Sequence, residues 1–108
     1  MAGRTEAFLA MLARGQDSAL LRFSLGNEYL AAGEPATAAE HLSEAVRLDP
    51  DYSAAWKLLG RALAEDGRST DAIQTYEKGI AIATKNGDHQ AAKEMRVFAK
   101  RLLKSAPP

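Results

Sequence analysis

Two glycines placed 34 residues apart, each in the middle of a segment that otherwise favours helix, constrain the fold of this chain most strongly. Gly60 is followed by Arg-Ala-Leu-Ala-Glu, so the helix continues beyond the glycine, and Gly26 is placed in the same way. A glycine in a helix interior costs about 1 kcal/mol relative to alanine. A glycine retained at this cost indicates that a second helix crosses there, because the missing side chain lets two backbones approach closely.

The rest of the sequence is typical of an all-α protein. Ala, Leu, Glu, Lys and Arg dominate, β-branched residues are sparse, and proline is confined to four positions. Glycines and Asp49-Pro50 act as stop signals, and Asp17, Ser69 and Asp88 are candidate helix caps. These signals predict helices over residues 4–14, 18–32, 35–48, 52–66, 69–85 and 88–104.

The composition bounds what the chain can be. Its 108 residues form one domain, 1–108, and the absence of cysteine excludes disulfides and thiolate metal sites. No apolar run approaches the roughly 18 residues that a membrane-spanning helix needs. The first apolar patch is short and contains Glu6, so we expect no secretory signal and a cytoplasmic location.

The repeat extends beyond the two glycines. Residues 56–63 read Trp-x-x-Leu-Gly-x-x-Leu and are followed by Ala72-x-x-x-Tyr76. Residues 22–29 read Arg-x-x-Leu-Gly-x-x-Tyr and are followed by Ala38-x-x-x-Leu42 and then Pro50. This pattern resembles the tetratricopeptide repeat, a helix–turn–helix unit of about 34 residues, with one copy over 19–52 and a second over 53–86.

The resemblance implies a short right-handed α-solenoid of stacked helical hairpins with helical caps. Within each hairpin, Gly26 and Gly60 are expected at the crossing, opposite Ala38 and Ala72. Trp56 occupies a packing column of the family, so we interpret it as a core residue rather than a ligand-recognition ring. Two repeats need covered ends, for which residues 4–14 and the degenerate third repeat at 88–104 are the candidates.

Catalytic chemistry is not predicted. His41 and His89 lie on different elements without the spacing of a metal site, and we place His41 on a solvated face. The sequence contains no nucleophile motif of the Gly-x-Ser-x-Gly type and no glycine-rich phosphate loop. We therefore predict a protein that is not an enzyme and needs no cofactor.

The resemblance also implies a concave groove, lined by the first helix of each repeat, that holds a partner peptide or protein. The predicted groove residues are Leu20, Phe23, Asn27, Leu30, Lys57 and Arg61. An apolar wall beside a cationic one suits a peptide with an apolar anchor and an acidic group. A chaperone-docking subgroup of the family uses groove lysines and asparagines, of which only Asn27 is present, so chaperone docking is not assigned.

Two alternatives for these surfaces stay open at this point. The N-terminal helix is an alternative cover for the apolar groove residues through Phe8 and Leu12, with the groove cations merely solvated. A basic ridge, defined by Lys93, Arg96, Lys100 and Lys104, is either the solvated face of the last helix or a contact for acidic surfaces or nucleic acid. An imperfectly capped solenoid can also self-associate, so a homo-oligomer is a further alternative.

Overall fold

The computed structural model describes residues 3–105, which form six helices joined by short turns. In chain order the helices are α1 (Arg4–Ala13), α2 (Ala19–Ala31), α3 (Pro35–Leu48), α4 (Ser53–Glu65), α5 (Ser69–Lys85) and α6 (His89–Ser105). Each helix begins and ends within one residue of its predicted bounds, so the all-α prediction is confirmed. The structure of Met1, Ala2 and the final Ala-Pro-Pro lies outside the described residues.

Glycines end the first helix of each hairpin through a left-handed backbone. Gly33 and Gly67 have φ of 76° and 78°, a conformation that L side chains rarely adopt. The following amides then reach back over the helix end, with Glu34 N–H donating to the carbonyl of Tyr29 at 2.9 Å and Arg68 N–H to that of Leu63 at 2.9 Å. These bonds satisfy carbonyls that the helix leaves open and start the turn into the second helix.

The predicted N-terminal caps are correct in only one of three cases. Asp88 accepts a bond from Ala91 N–H at 3.1 Å and caps α6 as predicted. The cap of α2 is Ser18, which accepts from Leu21 N–H at 3.0 Å, whereas Asp17 pairs with Arg22 instead. Ser69 does not cap α5, because it is already the first helical residue and follows Arg68.

The two interior glycines lie where the helices of each hairpin cross, as the sequence predicts. A Cβ atom added to Gly60 would lie 2.6 Å from Cδ1 of Tyr76, and one added to Gly26 would lie 2.6 Å from Cδ2 of Leu42. The residues that face the glycines are therefore Leu42 and Tyr76, not the alanines at 38 and 72. Those alanines are fully buried and pack beside the crossing.

A third close approach involves Gly79 on α5. A Cβ there would lie 2.5 Å from the sulfur of Met95 on α6 and 2.9 Å from Cβ of Trp56 on α4. The position 34 residues earlier is Ala45, which is fully buried. The repeat therefore has a second column of small residues, which brings α5 against its neighbours on both sides.

Trp56 is a packing residue, as predicted. It lies between the two core clusters of buried side chains and contacts both. Its indole Nε1–H donates to the carbonyl of Pro50 at 2.8 Å, so the polar atom of the ring is satisfied by the turn between the two repeats.

The helix contacts define which side of the stack is concave. Helix α2 contacts α4, and α4 contacts α6, whereas α3 and α5 do not contact each other within residues 3–105. Neighbouring first helices are thus closer together than neighbouring second helices, and the array bends toward α2, α4 and α6. This concave side is the surface on which a groove can form.

The two ends of the stack are covered unequally. Helix α6 places Ala91, Ala92, Met95 and Ala99 in the core, where they cover the end of the second hairpin. Helix α1 packs against α2 and has no buried residue. An ion pair of 2.8 Å between Arg4 and Glu28 joins α1 to α2.

Candidate functional site

The groove residues of α2 differ in their exposure. Leu20 is 65% exposed and Asn27 is also exposed. Phe23 is partly buried and stacks on Tyr52, with ring centroids 5.0 Å apart. The prediction that Leu30 lines the groove is wrong, because Leu30 is only 5% exposed and lies in the core cluster between the two repeats.

The N-terminal helix leaves this end of the groove open. Phe8 and Leu12 are half-buried, but Leu20 keeps most of its surface in solvent. The alternative in which α1 covers all the apolar groove residues is therefore wrong for Leu20. An exposed leucine beside a partly exposed phenylalanine leaves apolar surface available to a partner.

The two cations of α4 form ion pairs within the chain. Lys57 lies 3.4 Å from Glu94 on α6, and Arg61 Nε lies 2.7 Å from Glu65 one turn later. These side chains remain between one third and three fifths exposed. Because exposed pairs of this kind contribute at most about 1 kcal/mol, a carboxylate from a partner can compete for either cation.

A cleft that the sequence did not predict lies between the C-terminal halves of α4 and α6. It has a volume of about 440 Å³, and its walls are almost entirely apolar apart from two arginines and one glutamate at the rim. The lining residues are Arg61, Ala64, Glu65, Tyr76, Phe98, Arg101 and Leu102. Of these, only Arg61 belongs to the predicted groove residues.

Tyr76 forms the inner wall of the cleft. Its ring is 3% exposed and contacts Phe98, with centroids 5.8 Å apart. Burial raises the pKa of Tyr76 to about 12, so its hydroxyl group stays protonated at neutral pH and can donate a hydrogen bond. A hydroxyl donor on a residue that lines an apolar cleft can orient a ligand that carries an oxygen acceptor.

A polar cluster occupies the column in which the second repeat has Trp56. Arg22 takes that position in α2, binds both carboxylate oxygens of Asp17 at 2.9 and 3.1 Å, and lies 3.1 Å from Nδ1 of His41. The imidazole also stacks on Tyr29 at 5.4 Å. The prediction that His41 is simply solvated is therefore wrong, because its imidazole is partly buried between Arg22 and Tyr29.

The electrostatics of this cluster follow from its geometry. The hydrogen bond from Arg22 lowers the pKa of Asp17 and stabilises its carboxylate. Burial, followed by the charge of Arg22, lowers the pKa of His41. The cluster joins α2 to α3 on the side of the hairpin away from the cleft.

The four cations of the basic ridge are exposed along one face of α6. Their spacing of three and four residues places them in a single stripe. Among residues 3–105, neither these four cations nor Arg101 forms an ion pair. Nucleic-acid contact through this helix and self-association of the chain stay predictions.

Comparison with known proteins decides the family. A profile of the tetratricopeptide repeat matches residues 23–88, which is more than half of the chain and includes most of the first hairpin and all of the second. This chain belongs to the tetratricopeptide repeat family. Tetratricopeptide repeats generally mediate contacts between proteins and are generally non-catalytic.

Several similar tetratricopeptide repeat proteins are known. A repeat-containing protein of Pseudomonas aeruginosa is 53% identical over 97 residues, which cover 90% of this chain and 92% of that protein. A solution structure from Bordetella parapertussis has a TM-score of 0.83 at 44% identity and covers 96% of this chain and 90% of its own. The crystal structure of the Sgt2 TPR domain from Aspergillus fumigatus has a TM-score of 0.79 at 28% identity and covers 96% and 72% respectively.

The resemblance to a co-chaperone is limited to part of that protein. The heat-shock protein cognate co-chaperone sgt12 of Aspergillus fumigatus is 38% identical over 78 residues, which cover 72% of this chain and 23% of the relative. Chaperone docking is therefore not carried over.

Two further observations concern the described part of the chain. No helix between residues 3 and 105 is long and apolar enough to cross a membrane. No group of three potential metal-binding side chains occurs in the same range. The cytoplasmic location stays a prediction.

Proposed function

We propose that this chain is a non-catalytic interaction module that binds a segment of a partner protein on its concave side. The observation that carries the proposal is the order in which three chemically different surfaces follow one another across α2, α4 and α6. Leu20 and Phe23 supply exposed apolar surface at one end, Lys57 and Arg61 supply positive charge in the middle, and the cleft beside α6 supplies an apolar pocket. This surface matches a peptide better than a compact small molecule, because its parts extend across three helices.

The family supports an adaptor role, because its repeats generally mediate contacts between proteins, and the described residues are consistent with it. His41 is the one histidine held in a network there, and its imidazole packs between Tyr29 and Arg22, away from the cleft. The charged groups at the rim of the cleft are an arginine–glutamate pair and a second arginine, which suit the binding of charged partner groups. Carboxylates of a partner would replace those of Glu94 and Glu65 as the ion-pair partners of Lys57 and Arg61.

Affinity capture from the native cell with matched variants tests the proposal. The variant Lys57→Gln/Arg61→Gln removes two ion pairs on the concave side. The control Arg47→Gln/Arg68→Gln also removes two ion pairs, Arg47 with Glu44 at 2.9 Å on α3 and Arg68 with Asp71 at 3.0 Å at the start of α5. We expect specific proteins to be captured by the wild type and the control and to be lost from the groove variant, while circular dichroism shows all three folded. The same captured set from all three proteins would refute the groove.

A further inference from the structure

The strongest unassigned feature of the molecule is the continuity between the cleft and the basic ridge on α6. Arg101 lies at the rim of the cleft and is exposed. On the helix surface it neighbours Phe98, three residues earlier, on the cleft side. It neighbours Val97 and Lys104, four residues earlier and three later, on the ridge side. One arginine therefore borders both surfaces.

A second depression extends the cleft along α6. It has a volume of about 280 Å³ and is lined by Gln90, Lys93, Glu94, Val97 and Phe98. Phe98 belongs to the walls of both the cleft and this depression. We call the two together the α6 trough, a surface that runs along most of α6 beside its cations.

The charges around the α6 trough are unequally matched. The helix carries five cations and one acid, and this acid, Glu94, is already paired with Lys57. At the cleft, Glu65 is paired with Arg61, so Arg101 is the guanidinium left at the rim without a partner among residues 3–105. The trough thus combines the apolar cleft with an uncompensated positive border.

We propose that the α6 trough binds an acidic segment within a partner protein, with one aromatic or large aliphatic side chain inserted in the cleft. This inference rests on the proposed function and names the chemistry of its partner. The apolar anchor packs against Tyr76, Phe98 and Leu102, and carboxylates that flank it pair with Arg101 and the ridge cations. An internal segment fits better than a chain terminus, because the cations are spread over the length of α6 and one terminal carboxylate matches only one of them.

The experiment measures binding of fluorescein-labelled synthetic heptapeptides with blocked ends by fluorescence anisotropy. The peptides have six alternating Glu and Asp residues around a central Phe or a central Ala, and a third has Lys in place of each acid. We expect the Phe peptide to bind about tenfold to a hundredfold more tightly than the Ala peptide, which is the effect of burying one aromatic side chain. The Lys peptide should not bind, and the affinity of the Phe peptide should fall as salt increases.

Matched variants locate the peptide. Arg101→Glu should weaken binding of the Phe peptide at least tenfold, because it reverses the charge at the rim of the cleft. Lys78→Glu makes the same charge change on the exposed surface of α5, outside the trough, and should leave the affinity within about twofold. Circular dichroism of both variants excludes unfolding as the cause.

Each other outcome overturns the inference. Equal binding of the Phe and Ala peptides would show that no anchor enters the cleft, and equal weakening by both variants would show a diffuse charge effect. Binding of a single-stranded oligonucleotide as tight as that of the Phe peptide would indicate a polyanion surface. A dimer in sedimentation that Arg101→Glu dissociates would indicate a second copy of the chain as the occupant. If no peptide binds but Lys57→Gln/Arg61→Gln still loses the captured proteins, the proposed interaction module is supported and the proposed occupant of the α6 trough is refuted.

Discussion

Replacing Gly60 with alanine tests the helix crossing on which the concave side depends. Two effects of opposite sign compete. Alanine improves the helix propensity by about 1 kcal/mol. The new Cβ, however, would lie 2.6 Å from Cδ1 and 2.7 Å from Cζ of Tyr76, far inside van der Waals contact. The phenol ring is 3% exposed and rests against Phe98, so it has little room to move away.

The structure therefore predicts that Gly60→Ala destabilises the protein. Overpacking a core typically costs about 1–3 kcal/mol. Subtracting the gain of about 1 kcal/mol in helix propensity leaves an expected net loss of up to about 2 kcal/mol in the free energy of unfolding. For a domain of about 100 residues, the melting temperature falls by about 4–8 °C for each kcal/mol. Urea unfolding monitored by circular dichroism measures the loss directly.

A double-mutant cycle separates the clash from other causes. Removing the ring with Tyr76→Ala leaves space for the new methyl group, so in that background Gly60→Ala should stabilise the chain by about 1 kcal/mol through propensity alone. The sign of the same substitution thus reverses, and the coupling energy equals the overpacking cost of about 1–3 kcal/mol. A Gly60→Ala protein that is more stable than the wild type would refute the crossing.

Three further predictions concern single residues. Because burial and Arg22 lower the pKa of His41, the unfolded chain binds a proton more readily, and the free energy of unfolding should decrease as the pH falls below about 6.5. His41→Gln should remove this part of the pH dependence. The check is the free energy of unfolding from urea titrations above and below pH 6.5, and a variant that loses as much stability as the wild type between the two pH values would contradict the role of His41. Ser18→Ala should lower the free energy of unfolding by about 1 kcal/mol because it removes the cap of α2, whereas Ser69→Ala should lower it by less than about 0.5 kcal/mol. Equal losses of stability in urea unfolding would be inconsistent with these caps. Trp56→Phe should cost about 1 kcal/mol or more through loss of the bond to Pro50 and of packing area, and a variant as stable as the wild type in thermal melts would rule out a core role.

The helices and their crossings could be predicted from the sequence because they depend on residues that recur. The 34-residue period places Gly26 and Gly60 in equivalent columns, and the stop glycines mark where each helix ends. Gly79 was missed because its partner column contains Ala45 rather than a second glycine. A search for small residues, instead of identical ones, would have found that contact.

The cleft could not be predicted, because it depends on how α6 approaches α4. The repeat pattern is lost in α6, so the periodicity does not show that Phe98 and Leu102 meet Tyr76 with space between them. The groove position of Leu30 was wrong for a related reason. Helical spacing places Leu30 on the same stripe as Leu20 and Phe23, but the neighbouring hairpin covers that end of the stripe and buries it.

Photo-cross-linking in the native cell is the most direct test of the claim that the concave side contacts a partner protein. A photoreactive amino acid replaces Asn27 on α2 or Glu65 on α4, and in control proteins it replaces Arg47 on α3 or Glu77 on α5, all of which are exposed. We predict a discrete cross-linked product from both concave positions and none from the outer ones. Products formed from the outer positions alone would contradict the account.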